Sequence, residues 1–164
     1  MGQGHQRKHP TGHHPQAAKR VPVPTRELTL SKRILITGNE GYIGSQMVPV
    51  FLESGYEVTG LDTGYFRDCT LTSSSPQVHT LQKDIRDLAP SDLEGFDGVV
   101  HLAALSNDPV GNLNPQWTSE INLQGSVQLA QAAKSAGVER FLFSSSCIMY
   151  GMSETAVVNE ESPL

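Results

Sequence analysis

The sequence contains little cysteine, few basic side chains after residue 33 and no long apolar run. Its two cysteines, Cys69 and Cys147, lie far apart without metal-ligand spacing, so they indicate reduced thiols rather than a disulfide framework or a metal site. No apolar stretch approaches the ~20 residues that a membrane-spanning helix needs. These absences predict a soluble, cytoplasmic protein with no membrane partner.

Charge is distributed unevenly along the 164 residues. Residues 1–33 carry seven Lys or Arg and one acid, whereas residues 34–164 carry five basic and sixteen acidic side chains. A nucleic-acid surface needs clustered basic side chains, which the acidic body does not supply. We therefore expect no nucleic-acid partner.

A basic segment rich in histidine and proline, residues 1–31, precedes this body. It shows almost no apolar periodicity, so we expect it to be disordered. Its histidines leave a metal-binding tail as the alternative. The remaining chain, residues 32–164, is long enough to form one domain with a hydrophobic core.

The most informative segment is the turn at residues 38–44. Here a short apolar run gives way to glycines spaced G-x-x-G-x-x-G and then to an amphipathic helical pattern. Gly38 permits a tight turn, and Gly41 lets a phosphate approach the main chain. Gly44 lets the following helix pack against the strands. A strand before such glycines and a helix after them predict a site for a dinucleotide pyrophosphate.

The helix predicted after the turn begins at Tyr42. Its first backbone N–H groups, near Tyr42 and Ile43, have no partner inside the helix and would face the pyrophosphate, helped by the helix dipole. The second strand, predicted over 57–62, ends at Asp62. This carboxylate can accept both ribose hydroxyls of the adenosine and would repel a 2′-phosphate, which favours NAD over NADP. The alternative is that Asp62 is an ordinary loop residue.

Three more strands are predicted over 78–81, 98–102 and 139–143, and a helix over 115–136. Short apolar runs that alternate with helices are typical of parallel strands buried on both faces and joined by right-handed crossovers. The predicted fold class is therefore α/β. We expect a Rossmann-type doubly wound parallel sheet with strand order 3-2-1-4-5 and the ligand above its C-terminal edge.

Small or polar residues follow the predicted strands at the edge where a ligand would lie. Asp84 and Ile85 can hold an adenine by a hydrogen bond and an apolar contact, and the serines at 144–146 would lie under a nicotinamide. Each position alone is explained equally well by a tight turn, but five in register favour a binding site. The contacts with NAD expected at the strand ends are those of Asp62, Asp84, Ile85, Leu102, Ala103, Ala104 and Ser144.

Six features follow one another along the body: TGNEGYIG at 37–44, Asp62, Asp84-Ile85-Arg86, HLAA at 101–104, Asn122 and FLFSSSCIMYG at 141–151. In this order they resemble the extended short-chain dehydrogenase/reductases. Within that superfamily they are most similar to the NAD-dependent nucleotide-sugar epimerase/dehydratase group, of the UDP-glucose 4-epimerase type. The resemblance extends over residues 33–164.

The resemblance implies an activity and roles for two residues. In this family a sugar hydroxyl of a nucleotide sugar is oxidised by hydride transfer to tightly held NAD, and the hydride is returned after epimerisation or loss of water. A tyrosinate is the base, and a lysine four residues after it lowers the pKa of the tyrosine. Ser146 matches the catalytic hydroxyl that hydrogen-bonds the reacting oxygen, and Asn122 matches an asparagine near the cofactor.

No tyrosine of this sequence has a lysine four residues later, and Tyr150 is followed at that distance by Glu154. Residues 159–164 resemble the segment that precedes the catalytic pair. We therefore expect the NAD-binding part of an epimerase or dehydratase, without its base and inactive alone. The fifth strand would then be an unpaired apolar edge that invites association, as in a homodimer. The alternative function is a non-catalytic module that binds NAD(P) or pairs with a relative.

Overall fold

The computed structural model describes residues 31–69, 76–106, 108–146, 149 and 157–162. The predicted disordered segment up to residue 30 lies outside these residues, as do Cys147, Tyr150, Glu154 and residues 163–164. Among the described residues, no helix is long and apolar enough to cross a membrane.

Five parallel strands form one sheet in the order β3-β2-β1-β4-β5, which confirms the predicted fold class and strand order. β2 has the predicted bounds, β3 is shifted by one residue at both ends, and β4 and β5 differ from their predicted bounds by one residue at one end. The strands are β1 (Arg33–Thr37), β2 (Glu57–Asp62), β3 (His79–Gln82), β4 (Gly98–His101) and β5 (Arg140–Phe143).

Helices and short turns connect the strands. The helix predicted over 115–136 is helical as expected, but its middle, Ser119–Gly125, is a π-helix. Gly55 and Gly137 follow two of the helices with positive φ angles of 84° and 78°, a conformation that glycine adopts without steric cost. The α-helices are α1 (Tyr42–Glu53), α2 (Asp108–Leu113), α3 (Pro115–Thr118) and α4 (Ser126–Ser135), and the 3₁₀ turns are Arg67–Cys69, Ile85–Asp87 and Pro90–Leu93.

The core lies on both faces of the sheet because successive side chains of a strand point to opposite sides. In β1, Leu35 joins one cluster, whereas Ile34 and Ile36 join the other. The first cluster contains Leu35, Leu61, Ile85, Leu93, Phe96, Val99, Leu129, Ala132 and Ala133. The second contains Ile34, Ile36, Val48, Val58 and Val100, with Met47, Phe51 and Leu52 of α1 packed against it.

β5 departs from the expected burial. All four of its residues are exposed, and Leu142 and Phe143 keep 50% and 55% of their accessible surface. The prediction that every strand is buried on both faces is therefore wrong for β5, and also for β3, whose four residues are exposed or half-buried. The reason for β5 is its position, since within the described residues β5 pairs with β4 alone and forms an edge of the sheet.

Candidate functional site

The glycine turn joins the end of β1 to the start of α1. Gly38 has a φ of 72°, and its amide donates to the Leu61 carbonyl at 2.7 Å. A Cβ on Gly38 would lie 2.9 Å from the Ala103 nitrogen, so the residue has no room for a side chain. A Cβ on Gly41 would meet only the Gly38 oxygen, at 3.2 Å, and its remaining surroundings are open.

Gly44 permits a close approach between the start of α1 and the preceding turn. A Cβ on Gly44 would overlap the Gly38 oxygen and come within 2.6 Å of the Asn39 Cα. The glycine therefore lets the first turn of α1 lie close against the residues of the glycine turn, while α1 as a whole packs on β1 and β2.

The start of α1 is open to solvent. Gly41 is its N-cap and supplies no side-chain capping bond, and the first turn contains no acidic residue. Tyr42 and Ile43 are 82% and 53% exposed. The N-terminal N–H groups of a helix carry partial positive charge and lack partners within it. This helix start thus has the electrostatic character of an anion site.

Asp62, at the end of β2, is held by two backbone amides. Its Oδ2 accepts from Glu40 at 3.1 Å, and its Oδ1 accepts from Gly64 at 2.9 Å. Each carboxylate oxygen can accept a further hydrogen bond. The carboxylate is therefore fixed beside the glycine turn with acceptor capacity left for a ligand.

Asp84 and Ile85 lie one strand further out, after β3. The Asp84 carboxylate caps the following 3₁₀ turn by accepting from the Arg86 amide at 2.9 Å, and it also binds the Arg86 guanidinium at 2.8 and 3.0 Å. Arg86 thereby holds the pKa of the Asp84 carboxyl below its usual value. Ile85 is 4% exposed and belongs to the core. Both residues predicted to contact an adenine therefore already have partners within the protein: the Asp84 carboxylate binds Arg86, and the Ile85 side chain is part of the core.

A buried polar network crosses the sheet where β1 meets β4. The Thr37 hydroxyl lies 2.7 Å from His101 Nδ1, and His101 Nε2 lies 2.8 Å from the Ser126 hydroxyl. Ser126 donates to the Asn122 carbonyl at 2.7 Å, so it accepts from His101 Nε2–H, and Nδ1 accepts from Thr37. Burial lowers the pKa of His101 to about 4, which keeps the ring neutral at physiological pH.

Asn122 lies in the π-helical segment and holds the loop after β4. Its Oδ1 accepts from the Leu105 amide at 2.8 Å, and its Nδ2 donates to the Leu105 carbonyl at 2.9 Å. Single π-helical turns inside α-helices are frequent at functional sites. Asn122 therefore holds Leu105 in the loop after β4, and this loop lines a cavity at the ends of β4 and β5.

A cavity of about 730 Å³ opens at the C-terminal ends of β4 and β5. Thr118 also lines it, and the buried Thr118 hydroxyl has no hydrogen-bond partner among the described residues. The loop after β4 and the serines after β5 face each other across this space. Of the residues predicted from sequence, the cavity brings together Ile43, Leu102, Ala103, Ala104, Asn122, Ser144 and Ser146.

The other predicted residues lie outside the cavity lining. Gly38, Gly41, Tyr42 and Gly44 belong to the glycine turn, and Asp62, Asp84 and Ile85 follow β2 and β3. Parallel strands end at one edge of a sheet, so all the groups lie along the C-terminal edge. Among the described residues, no group of His, Cys, Asp or Glu is placed to hold a metal ion.

Sequence reasoning missed Thr37, His101, Thr118 and the ion pair between Glu40 and Arg67. The signal that could have identified His101 is its position inside the apolar run 98–102, between Val100 and Leu102, where a polar side chain is unusual. Glu40 stands inside the glycine motif, but its partner is 27 residues away and follows no local pattern.

Comparisons with known proteins agree with this geometry. Residues 34–164 match the sequence model of the NAD dependent epimerase/dehydratase family. The UDP-glucose 4-epimerase of Corynebacterium glutamicum is 31% identical over 135 residues, which cover 80% of this chain and 40% of the relative.

The chain is also similar in fold and sequence to solved structures of an epimerase and a dehydratase. The dTDP-glucose 4,6-dehydratase of Streptomyces venezuelae, with NAD bound, matches with a TM-score of 0.70 and 33% identity over 80% of this chain and 45% of that one. The UDP-glucose 4-epimerase of Stenotrophomonas maltophila, also with NAD bound, matches with a TM-score of 0.69 and 30% identity over 80% of this chain and 42% of that one. The chain thus spans about two fifths of the length of these proteins, and NAD is the cofactor of the group. With a family model matched over nearly all of its described body, the chain belongs to the NAD dependent epimerase/dehydratase family.

Proposed function

We propose that residues 32–164 are the NAD-binding domain of an enzyme that epimerises or dehydrates a nucleotide sugar. The observation that carries the proposal is the position of the uncapped α1 start and the cavity. Both lie at the C-terminal edge where β1 is flanked by β2 on one side and β4 on the other. In doubly wound sheets, ligands bind in the crevice at such a switch of strand order.

The pyrophosphate of NAD would lie on the glycine turn. The open surroundings of Gly41 leave the main chain accessible, and the N–H groups near Tyr42 and Ile43 would donate to the phosphate oxygens. No carboxylate of the first helical turn opposes the anion. The residues present therefore fit this part of the cofactor.

The adenosine would lie over β2 and β3. Asp62 would accept the ribose hydroxyls with the acceptor capacity that Glu40 and Gly64 leave, and its orientation is fixed in advance by those two amides. Asp84 and Ile85 would contact the adenine. Because the Asp84 carboxylate already binds Arg86, we expect it to contribute less than Asp62.

The nicotinamide half would occupy the cavity. Its small lining residues Ala103 and Ala104 leave space for the ring. NAD, when bound, accepts and returns a hydride. In the family's pattern, Ser146 would hydrogen-bond the reacting oxygen of the sugar, with Leu102, Asn122 and Ser144 shaping the wall.

Turnover needs a base that these residues do not supply. No tyrosine of the sequence has a lysine four residues later, and a general base contributes on the order of 10²–10⁴-fold in rate. We therefore propose that the 164-residue chain binds NAD and does not by itself epimerise or dehydrate a nucleotide sugar.

Calorimetric titration of the purified chain with NAD tests the proposal. We expect binding by the wild type, and none by Gly41→Val, because the added side chain fills the phosphate approach. The Gly41→Val variant should fold, since its φ of −76° suits any residue. Its far-UV circular dichroism and urea midpoint serve as the control. A folded wild-type chain that releases no heat with NAD would refute the proposal.

Asp62→Ala provides a second, graded test. Loss of a charged acceptor should weaken NAD about tenfold to hundredfold and reduce discrimination against NADP. Glu53→Ala is the control, because Glu53 is an exposed carboxylate at the last residue of α1, at the opposite end of that helix from the glycine turn. We expect it to change the NAD affinity less than about twofold. Equal effects of the two substitutions would mean that Asp62 is not the ribose ligand.

The exposed face of β5 supports a second candidate function, pairing with another copy of this chain. Phe141, Leu142 and Phe143 present apolar side chains on an edge strand. Unpaired edges with apolar side chains favour strand-to-strand association. This function is compatible with binding of the adenosine half of NAD, because β5 is at the opposite edge of the sheet from β2 and β3, whereas Phe143 of β5 also lines the cavity proposed for the nicotinamide.

A further inference from the structure

The loop after β2 folds back and contacts the glycine turn through an ion pair between Arg67 and Glu40. Arg67, in the 3₁₀ turn Arg67–Cys69, donates from Nη2 to Glu40 Oε1 at 3.1 Å, and its Nε lies 3.3 Å from both Glu40 carboxylate oxygens. The Glu40 side chain is 18% exposed and that of Arg67 is 50% exposed. The contact joins residues 27 positions apart in the sequence.

Asp62 belongs to the same cluster. Glu40 touches Asp62 through its backbone amide, at 3.1 Å, while its side chain binds Arg67. The pKa of Arg67 is raised, first by the hydrogen bond and charge of Glu40 and to a smaller extent by the charges of Asp62 and Asp68. One guanidinium therefore lies among the carboxylates of Glu40, Asp62 and Asp68, beside the position proposed above for the adenosine ribose.

We propose that the Glu40–Arg67 ion pair, together with Asp62, decides the choice between NAD and NADP. This inference rests on the proposed function. A 2′-phosphate at the ribose would meet the Asp62 and Glu40 carboxylates, and the one cation of the cluster is already neutralised by Glu40. Glu40 thus acts twice against NADP: it repels the phosphate and it occupies the guanidinium that could bind it.

Glu40→Gln tests the inference without touching Asp62. The substitution removes a negative charge and frees Arg67, while the backbone amide that holds Asp62 remains. We expect NADP affinity, relative to NAD affinity, to rise about tenfold in calorimetric titrations of the full chain, because the freed guanidinium can form a charge-assisted hydrogen bond with the 2′-phosphate. The gain should shrink as NaCl is raised from 50 to 500 mM, because partly exposed charges are screened.

The double variant Glu40→Gln/Arg67→Gln tests whether the freed Arg67 guanidinium causes the gain in NADP affinity. It should return the NADP-to-NAD ratio close to that of the wild type, because the gain requires the free guanidinium. Arg67→Gln alone should lower the ratio about threefold by leaving Glu40 without its counter-ion. Lys32→Gln is the control, because it breaks an exposed ion pair with Glu139 at the opposite end of the sheet.

The outcomes separate the two proposals. If the wild type binds NAD and Glu40→Gln leaves the NADP-to-NAD ratio unchanged, the role of the ion pair is wrong and the NAD site stands. A gain that survives in the double variant would exclude Arg67 as the phosphate ligand. A wild-type chain that binds neither dinucleotide would overturn the site and this inference together.

Discussion

β4 and β5 are neighbouring strands with opposite environments. Each has four residues, and they pair in register from Gly98 opposite Arg140 to His101 opposite Phe143. All four residues of β4 are buried, whereas all four of β5 are exposed. The difference lies in what surrounds each strand, since β4 has β1 as a second neighbour and β5 has none among the described residues.

The comparison teaches that burial in this sheet depends on position in the strand order. An apolar run contributes to stability only in proportion to the surface it removes from water. The centre of the sheet, β1 and β4, should therefore hold the fold together, and the β5 edge should contribute little to folding but remain free for association.

A matched pair of Leu→Ala substitutions tests most directly whether the central strands contribute more to stability than the β5 edge. Leu35 in β1 is 0% exposed and Leu142 in β5 is 50% exposed. Leu35→Ala leaves a cavity in the core and should lower the free energy of unfolding by about 2–5 kcal/mol. Leu142→Ala should cost about 1 kcal/mol or less. Urea titrations measure both, and equal losses would mean that β5 is buried in solution.

Protonation of His101 gives the next largest effect. Its neutral ring is buried between Thr37 and Ser126, beside the rings of Phe141 and Phe143. Its pKa is lowered to about 4 in the folded protein, against ~6.5 when unfolded, so the unfolded chain binds more protons between these values. The free energy of unfolding should therefore fall by about 3 kcal/mol as pH drops from 7 to 4.

Two histidine variants check that assignment by urea titrations at several pH values. His101→Gln should remove most of the slope in this window, whatever its effect on stability at pH 7. His79→Gln should retain the slope, because His79 is exposed on β3. Carboxylates with lowered pKa values, such as Asp84, act mainly below pH ~4 and do not account for it. A full slope in the His101 variant would contradict the burial argument.

Local patterns were sufficient to predict the glycine turn and the strands, because turn chemistry and apolar runs depend on adjacent residues. β2 has its predicted bounds, and Asp62 lies beside the turn as the strand order requires. The His101 network could not be predicted in this way. It needs Thr37 opposite His101, and that register between β1 and β4 is set by packing of the whole sheet.

The same limit explains two other differences. The exposure of β5 depends on the absence of a second neighbouring strand among the described residues, and its own sequence carries no sign of that. The Glu40–Arg67 pair depends on how the loop after β2 folds back. Long-range contacts of this kind decide which polar groups at the strand ends remain available to a ligand, as Asp84 and Arg86 illustrate.

The Thr37→Val variant tests how much the buried polar network between β1 and β4 contributes to stability. The Thr37 hydroxyl donates to His101 and accepts from the Leu102 and Ala103 amides at 3.2 Å each. Its loss leaves buried polar groups without a partner and should lower the free energy of unfolding by about 1–3 kcal/mol. Ser54→Ala is the control, because Ser54 is exposed and bonds only the Val50 carbonyl in its own helix. A Thr37 loss as small as that of Ser54 would mean that the network adds no net stability.

The smallest effect concerns the β5 edge itself. If two copies of the chain associate through β5, Leu142→Lys should raise the dissociation constant of the dimer about fivefold, which corresponds to about 1 kcal/mol. The physical reason is that a charge on an edge strand disfavours pairing with another chain. Val50→Lys is the matched control, because Val50 is 58% exposed on α1, away from β5. Sedimentation equilibrium over a range of concentrations measures the constants. A wild-type chain that stays monomeric, or two variants that weaken the dimer equally, would show that the exposed strand is not where copies meet.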